Sequence, residues 1–576
     1  MFSPQMLEED KIKLGQWQEQ MAMMAKQGPA PAKGLEFKTR SGIALKPIYT
    51  PLDIAGLKYE EMGPPGSYPF ARGNYPIHYQ AVPFLMNQGY GMGTAKETRE
   101  RRDWLEKLGS RFHVGEETDM TVYILTMDLP TQRGLDPDDP AARGKVGECG
   151  ISLTKLDDFE HLYEDLPLDQ VFTILIGFDA GMIQTALYAA YALEKRNEPL
   201  DKLFFVACNF FHHQWCWDSA GFPPSAAMKL CTEYSSWVIK NCPLSMHSSM
   251  DGYNVGEAGA TPVQEVAFNL AHSIALVEEL QKVGIDPNDA AARFMGHPHL
   301  SLNFFEEVAK IRATRKLWAK IFKEKFGCTR PEALHYNTFT AQTGGIESVA
   351  QEPLNNIIRT TIMSFAAMMA DIDGCWISSY DEALGIPTEE AVQVAVRTYQ
   401  ILGEETDIPY VTDPLGGSYY VEALTAQMEE EILKVLKKMD DRGGYIKCWE
   451  SGWIRSEVDR SARERLHKIE NGELTKVGTN KYRIEDSPKM HAYRRPIEAE
   501  EAAIESVKNY KAKRDSKKTE EALNEVRKAS EAIDKEWPDS CGRLMPALVE
   551  AGRAGATLGE MHKIMRDVFH YGYYSG

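Results

Sequence analysis

Residues 242–261 read CPLSMHSSMDGYNVGEAGAT. The stretch passes from an apolar run into a glycine-rich turn, and from there into a helix with a clear start. Thr261, Pro262 and Gln264 make a Thr-x-x-Gln capping box with proline at the first helical position. Beyond it, Val266, Leu270, Ile274 and Val277 recur at helical spacing. A strand whose carboxyl end carries Asp251, Tyr253, Asn254 and Glu257, followed at once by a helix, is one βα unit of a barrel. Barrels of this kind carry their chemistry at those strand ends.

Outward from this unit, apolar runs alternate with helical patterns. Strand candidates fall at residues 83–90, 120–127, 171–176, 203–207, 244–250, 294–300, 334–340 and 375–378, with helices such as 182–194, 226–240 and 304–326 between them. This predicts an α/β fold, a (β/α)8 TIM barrel over residues 75–400. An open doubly wound sheet is the alternative, but no GxGxxG marks a nucleotide crevice. Residues 1–74 read as an N-terminal arm and wrapping segment: a Met- and Gln-rich helix, a Pro/Gly linker, then extended Pro-rich chain. Residues 401–576 read as a helical C-terminal extension, with a densely charged stretch at 497–533.

A chain of 576 residues with 43% apolar and 10% aromatic content can bury a large core. It has no run approaching the roughly 18–20 apolar residues of a membrane span, and its N-terminus lacks a signal-peptide core. Its nine cysteines contain no CxxC pair, which suits reduced thiols in the cytoplasm. A net charge of −19 argues against nucleic acid as a partner.

GYNVGEAGAT resembles a segment of the methylmalonyl-CoA mutase family that reads Gly-Tyr-His, two residues, Glu-Ala-Gly-Ala-Thr; here Asn254 replaces the histidine. The resemblance extends over nearly the whole chain and keeps the family's order. It is carried by KPIYTPLD (46–53), YPFARGNYP (68–76), MDLPTQRGLDPDDPAARGKVG (127–147), NFFEEVAKIRATRKLWAK (303–320), YDEALGIPT (380–388), TDPLGGSYYVE (412–422), NKYR (480–483) and TLGEMHKIMRDVF (557–569). The family performs a radical 1,2 carbon-skeleton rearrangement of an acyl-CoA with adenosylcobalamin. Its cobalamin-binding domain carries Asp-x-His-x-x-Gly, and none of the fourteen histidines here stands in that pattern. The resemblance therefore implies a large subunit with no cobalamin-binding domain. A small cobalamin-binding subunit is the expected partner, in a heterotetramer.

The resemblance also assigns roles. Asn254, with Tyr253 beside it, is the expected catalytic pair, the asparagine amide orienting the thioester carbonyl; a plain turn asparagine is the alternative. An amide donates a hydrogen bond but cannot carry the charge of a histidine. His247, on the preceding strand, reads as a core histidine. Tyr75, Gly89, Tyr90, Trp217 and Arg293 are expected to bind substrate. Gly89 stands where the family has an active-site tyrosine, so the position promises room, unless Tyr90 takes the role by a one-residue slip. Trp217 stands where the family has its carboxylate-binding arginine, and Val82 where it has an arginine near the CoA phosphates. Arg293 is the best remaining contact for CoA or pantetheine. Glu257, Gln342 and Glu382 match cofactor-facing residues, whereas Ser378 departs from a family asparagine. His212, His213 and Cys216 are poor metal ligands, because neighbouring residues of a strand face opposite ways, and no metal site is expected.

These residues predict an acyl-CoA mutase large subunit for a bulky, aryl-substituted malonyl- or succinyl-CoA. A mutase for an isobutyryl- or 2-hydroxyisobutyryl-CoA is the second reading. A non-catalytic homologue that assembles with a cobalamin protein is the third.

Overall fold

The computed structural model describes residues 2–27, 37–110, 112–114, 118–207, 220–484 and 497–573. They form an α/β fold, rich in helix, whose central strands pair in parallel. Eight strands matter for the site: β1 (Leu85–Asn87), β2 (Thr118–Thr126), β3 (Val171–Ile176), β4 (Phe204–Ala207), β5 (Ser248–Asp251), β6 (Phe294–His297), β7 (Ala341–Thr343) and β8 (Gly374–Trp376).

β-Branched and aromatic residues fill β2 and β3, and β3 is buried almost throughout, as expected of strands covered on both faces. Parallel pairs join β2 to β3, β3 to β4, β5 to β6, β7 to β8 and β8 to β1. Single contacts link the rest. Gly89 bridges Ile124, the Met246 amide donates to the Phe205 carbonyl at 2.8 Å, and the Gly296 amide donates to the Asn337 carbonyl at 2.6 Å.

The 334–340 strand expectation is displaced. Pro331 starts a helical turn, Pro331–Leu334, and pairing begins only at Ala341. Proline at the first helical position favours that turn, and the apolar side chains of Ala333 and Leu334 are buried there.

Helices between the strands start and stop where local chemistry dictates. Thr261 caps Pro262–Lys282: its hydroxyl accepts from the Gln264 amide at 3.3 Å, while Gln264 accepts from the Thr261 amide at 2.9 Å. Phe304–Phe326 opens on Glu306 and Glu307 and closes at Gly327, whose φ of 69° is the left-handed cap that glycine adopts without strain. One cluster of buried side chains runs from Ile43 to Phe569, so the C-terminal helices share the core of the strands. Leu544–Arg553, for example, lays Gly552 against Leu187 and Ala190. Residues 4–20 of the N-terminal helix Pro4–Gln27 are largely exposed, and its start is tied down by Phe2, edge-on to Tyr419. Among the described residues no helix is long and apolar enough to cross a membrane.

Candidate functional site

β5 ends at Asp251, and the chain turns through the short helix Gly252–Glu257. The Asp251 carboxylate accepts from the Asn254 backbone amide at 3.3 Å and from its side-chain amide at 2.8 Å, which fixes that side chain's direction. The ring of Tyr253 stacks on His297 at 5.5 Å and 19°. Glu257 meets the His299 ring at 2.9 Å and accepts from the Ile346 amide at 3.1 Å.

A cavity of about 350 Å³ opens here, lined by residues at the carboxyl ends of the strands. Thr126, Ile176, His297, Gln342 and Trp376 come from β2, β3, β6, β7 and β8, and Gly89 and Asn254 follow β1 and β5. Beneath it the space narrows to about 20 Å³ among Ile124, Ile174, Met295 and Thr340. The exposed lining is more apolar than polar, with polar side chains such as Arg101, Gln132, Asn254 and Gln342 converging on it, as in many small-molecule sites.

Five of the expected residues meet at this cavity: Gly89, Tyr253, Asn254, Gln342 and Glu382. Glu257 lies just behind, within 4 Å of where a side chain on Gly345 would begin, as does the Tyr253 hydroxyl. Burial raises the Glu382 carboxyl to about 7, and the charges of Glu257 and Asp381 add to the shift. The polar lining includes the amides of Gln88, Gln132, Asn254 and Gln342, the carboxylates of Glu148 and Glu382 and the Arg101 guanidinium.

The other expected residues stand elsewhere. Tyr90 turns into the core, its hydroxyl 2.9 Å from Ser110 Oγ and its ring edge-on to Tyr123, so it does not replace a cavity tyrosine. Tyr75 precedes β1 and packs between His78 and His335, at the amino ends of the strands. Arg293 precedes β6, and its guanidinium donates to the Ile239 carbonyl at 3.1 Å, in the last turn of the helix Pro224–Asn241. Val82 is exposed. Ser378 turns toward Thr343, donating to its carbonyl at 3.1 Å. His247 is a core histidine, held between Ser235 Oγ and the Ala290 carbonyl and pushed by burial down to about 4. Trp217, with His212, His213 and Cys216, lies outside the described residues. Among the described residues no cluster of His, Cys, Asp and Glu is disposed to hold a metal ion.

One expectation needs correction. The space expected at Gly89 is filled from within, because a Cβ built on Gly89 would stand 2.6 and 2.7 Å from two carbons of the Trp376 indole. Trp376 and His297 are among the site residues that sequence reasoning missed. Their signals are local: each ends an apolar strand, in RFMGH (293–297) and GCW (374–376).

A sequence profile described as Methylmalonyl-CoA mutase matches residues 38–571. The 2-hydroxyisobutanoyl-CoA mutase large subunit of Aquincola tertiaricarbonis is 32% identical over 542 residues, covering 94% of this chain and 93% of that protein. Methylmalonyl-CoA mutase of Escherichia coli K12 is 30% identical over 93% of this chain and 72% of its own length. The human mitochondrial methylmalonyl-CoA mutase is 30% identical, with 93% and 69% covered.

Proposed function

The chain belongs to the methylmalonyl-CoA mutase family, a family of cobalamin-dependent acyl-CoA isomerases, and from that premise we propose a substrate class, an architecture and roles for its residues. It is the large subunit of an adenosylcobalamin-dependent mutase acting on a compact, branched acyl-CoA of the isobutyryl or 2-hydroxyisobutyryl kind. The observation that carries the substrate class is Trp376. Its indole occupies the room beside Gly89 in which an aryl group would have to lie. The small-molecule space left is about 350 Å³, and it must also receive part of the cofactor.

The eight parallel strands are read as the staves of one closed (β/α)8 barrel. In support, each strand is joined to the next by register pairs or by one of the three single contacts, and β8 returns to β1. An acyl-CoA arm running down the lumen would leave at the amino ends, where Tyr75 and Arg293 stand. Glu257, Gln342 and Glu382 are assigned to the cofactor's adenosyl and corrin edges, and a small partner subunit is assigned the cobalt. Bound there, adenosylcobalamin supplies the reversible hydrogen-atom abstraction that starts the rearrangement. This chain's residues do the rest. Asn254, aimed by Asp251, orients the thioester carbonyl. His297, stacked on Tyr253, gives the cavity a protonatable group one strand from the position that lacks the family's histidine. The apolar wall of Ile176, Phe178 and Trp376 keeps water from the reacting carbons.

The test is paired kinetics on 2-hydroxyisobutyryl-, isobutyryl- and benzylmalonyl-CoA with the small subunit and cofactor present. Wild type should prefer the compact substrates, and Trp376→Ala should erode that preference by about tenfold or more, the scale set by a few methylenes in a pocket. A wild-type preference for benzylmalonyl-CoA would overturn this reading in favour of the aryl one. No turnover of any of them would favour the non-catalytic homologue.

A further inference from the structure

On the far side of the 253–261 segment lies a second and larger cleft, about 690 Å³, lined by six basic and three acidic side chains. In a chain of net charge −19 that balance is inverted. Residues far apart in the chain build it. Arg40 comes from the N-terminal segment, Arg359 from the helix Asn355–Met369, Arg465 from Trp453–Glu470, and Lys476 from the chain just after.

The carboxylates nearest these cations do not balance them. Glu347 alone is shared by Arg465 at 2.8 Å and Arg40 at 3.6 Å. Arg359 donates to Asn356 Oδ1 at 2.8 Å and to the Val477 carbonyl at 2.9 Å. Lys476 donates to the Ile346 carbonyl at 2.6 Å. These acceptors are neutral and leave the charge of Arg359 and Lys476 in place. Burial accordingly holds Arg359, Arg465 and Lys476 below their ordinary values. Beside the cations, Leu302, Ile469 and Leu474 supply an apolar wall.

We propose that this cleft binds a phosphate-bearing ligand of nucleotide size, its diphosphate held by Arg359, Arg465 and Lys476 and its base laid on Ile469 and Leu474. Guanidinium forks pair bidentately with phosphate oxygens, and lysine adds a point charge. The volume falls in the roughly 300–1,000 Å³ range of small-molecule sites. The site stands apart from the mutase reading, but it adjoins the first cavity through one residue: Lys476 donates to the Ile346 carbonyl, and the Ile346 amide donates to Glu257.

The experiment is calorimetric titration of the full chain with ADP and with inorganic pyrophosphate, at low and raised salt. Both should saturate a single site, ADP the more tightly, and affinity should fall with salt. Arg359→Ala with Lys476→Ala should weaken ADP by about tenfold or more, the loss of charge-assisted hydrogen bonds. Should that double variant fail to fold, Lys468→Glu on the exposed rim should weaken both probes and flatten the salt dependence. Competition of ADP by CoA would place the nucleotide end of an acyl-CoA here and overturn its exit at the amino ends of the strands. ADP binding that CoA does not displace would identify a free nucleotide, and either result upholds the site. Absence of saturable binding by both probes, or variants that bind as tightly as wild type, overturns it.

Discussion

Gly89 and Trp376 act as one unit, since the indole lies where any side chain on residue 89 would begin. Gly89→Ala should therefore cost about 1–3 kcal/mol, as overpacking does in a well-packed interior. Trp376→Phe in the same chain should recover most of that loss. Urea denaturation of the two variants checks this, and an unchanged midpoint for Gly89→Ala would show that the indole moves aside freely. Asn254→Ala should lower turnover about 10²–10³-fold if its amide donates to the thioester carbonyl; a change within about twofold would leave it a turn residue. Glu382 makes a pH prediction with a definite sign. Its folded value, about 7, lies above the ordinary 4.5, so the folded state holds the proton more tightly. Stability contributed by this group is full below the ordinary value and is lost as pH rises toward 7. Glu382→Gln should remove that loss. Melting curves should show the variant gaining on wild type as pH rises from about 5 to about 8, and parallel pH profiles would refute the assignment.

The helix Phe304–Phe326 ties the strands to the C-terminal half through buried charges. Lys310 bridges Glu265 at 2.9 Å and Glu307 at 2.6 Å. Arg312 pairs with Asp413 and with Glu422 at 2.6 Å, and Arg315 donates to the carbonyls of Phe70, Ala71 and Ala370. One helix thus holds the 412–422 segment and the 68–76 segment at once. Removing one member of such a pair leaves the others charged in the interior, which typically costs about 3–5 kcal/mol. Arg312→Ala should lose stability on that scale, because Asp413 keeps Arg72 at 2.7 Å but Glu422 loses its guanidinium. Equilibrium denaturation measures it, and a loss below about 1 kcal/mol would place these charges in contact with water.

Across the whole molecule, the cavity and the basic cleft share a wall at residues 253–261 and 345–347. The two-subunit reading proposed above assigns the cobalt to another chain. The isolated chain should therefore bind adenosylcobalamin weakly and turn over no acyl-CoA, and the small subunit should restore both. Full activity from this chain alone would sink the two-subunit reading.

Capping and periodicity are written within a few neighbouring residues. The start of Pro262–Lys282, the full length of Phe304–Phe326 and the limits of β3 are therefore legible in the sequence alone. The gathering of Asn254, Gln342 and Glu382 is legible only through the family resemblance, which matches them to site residues of that family. What occupies the space beside Gly89 is not legible. It depends on β1 lying parallel to β8, with Asn87 opposite Trp376, a pairing between residues nearly 290 apart in the chain. The same holds for the turning of Tyr90 into the core, for Arg293 at the end of a neighbouring helix, and for a basic cleft drawn from distant segments. Strand register and helix docking are set by how the entire core closes, and no local run of residues carries that information.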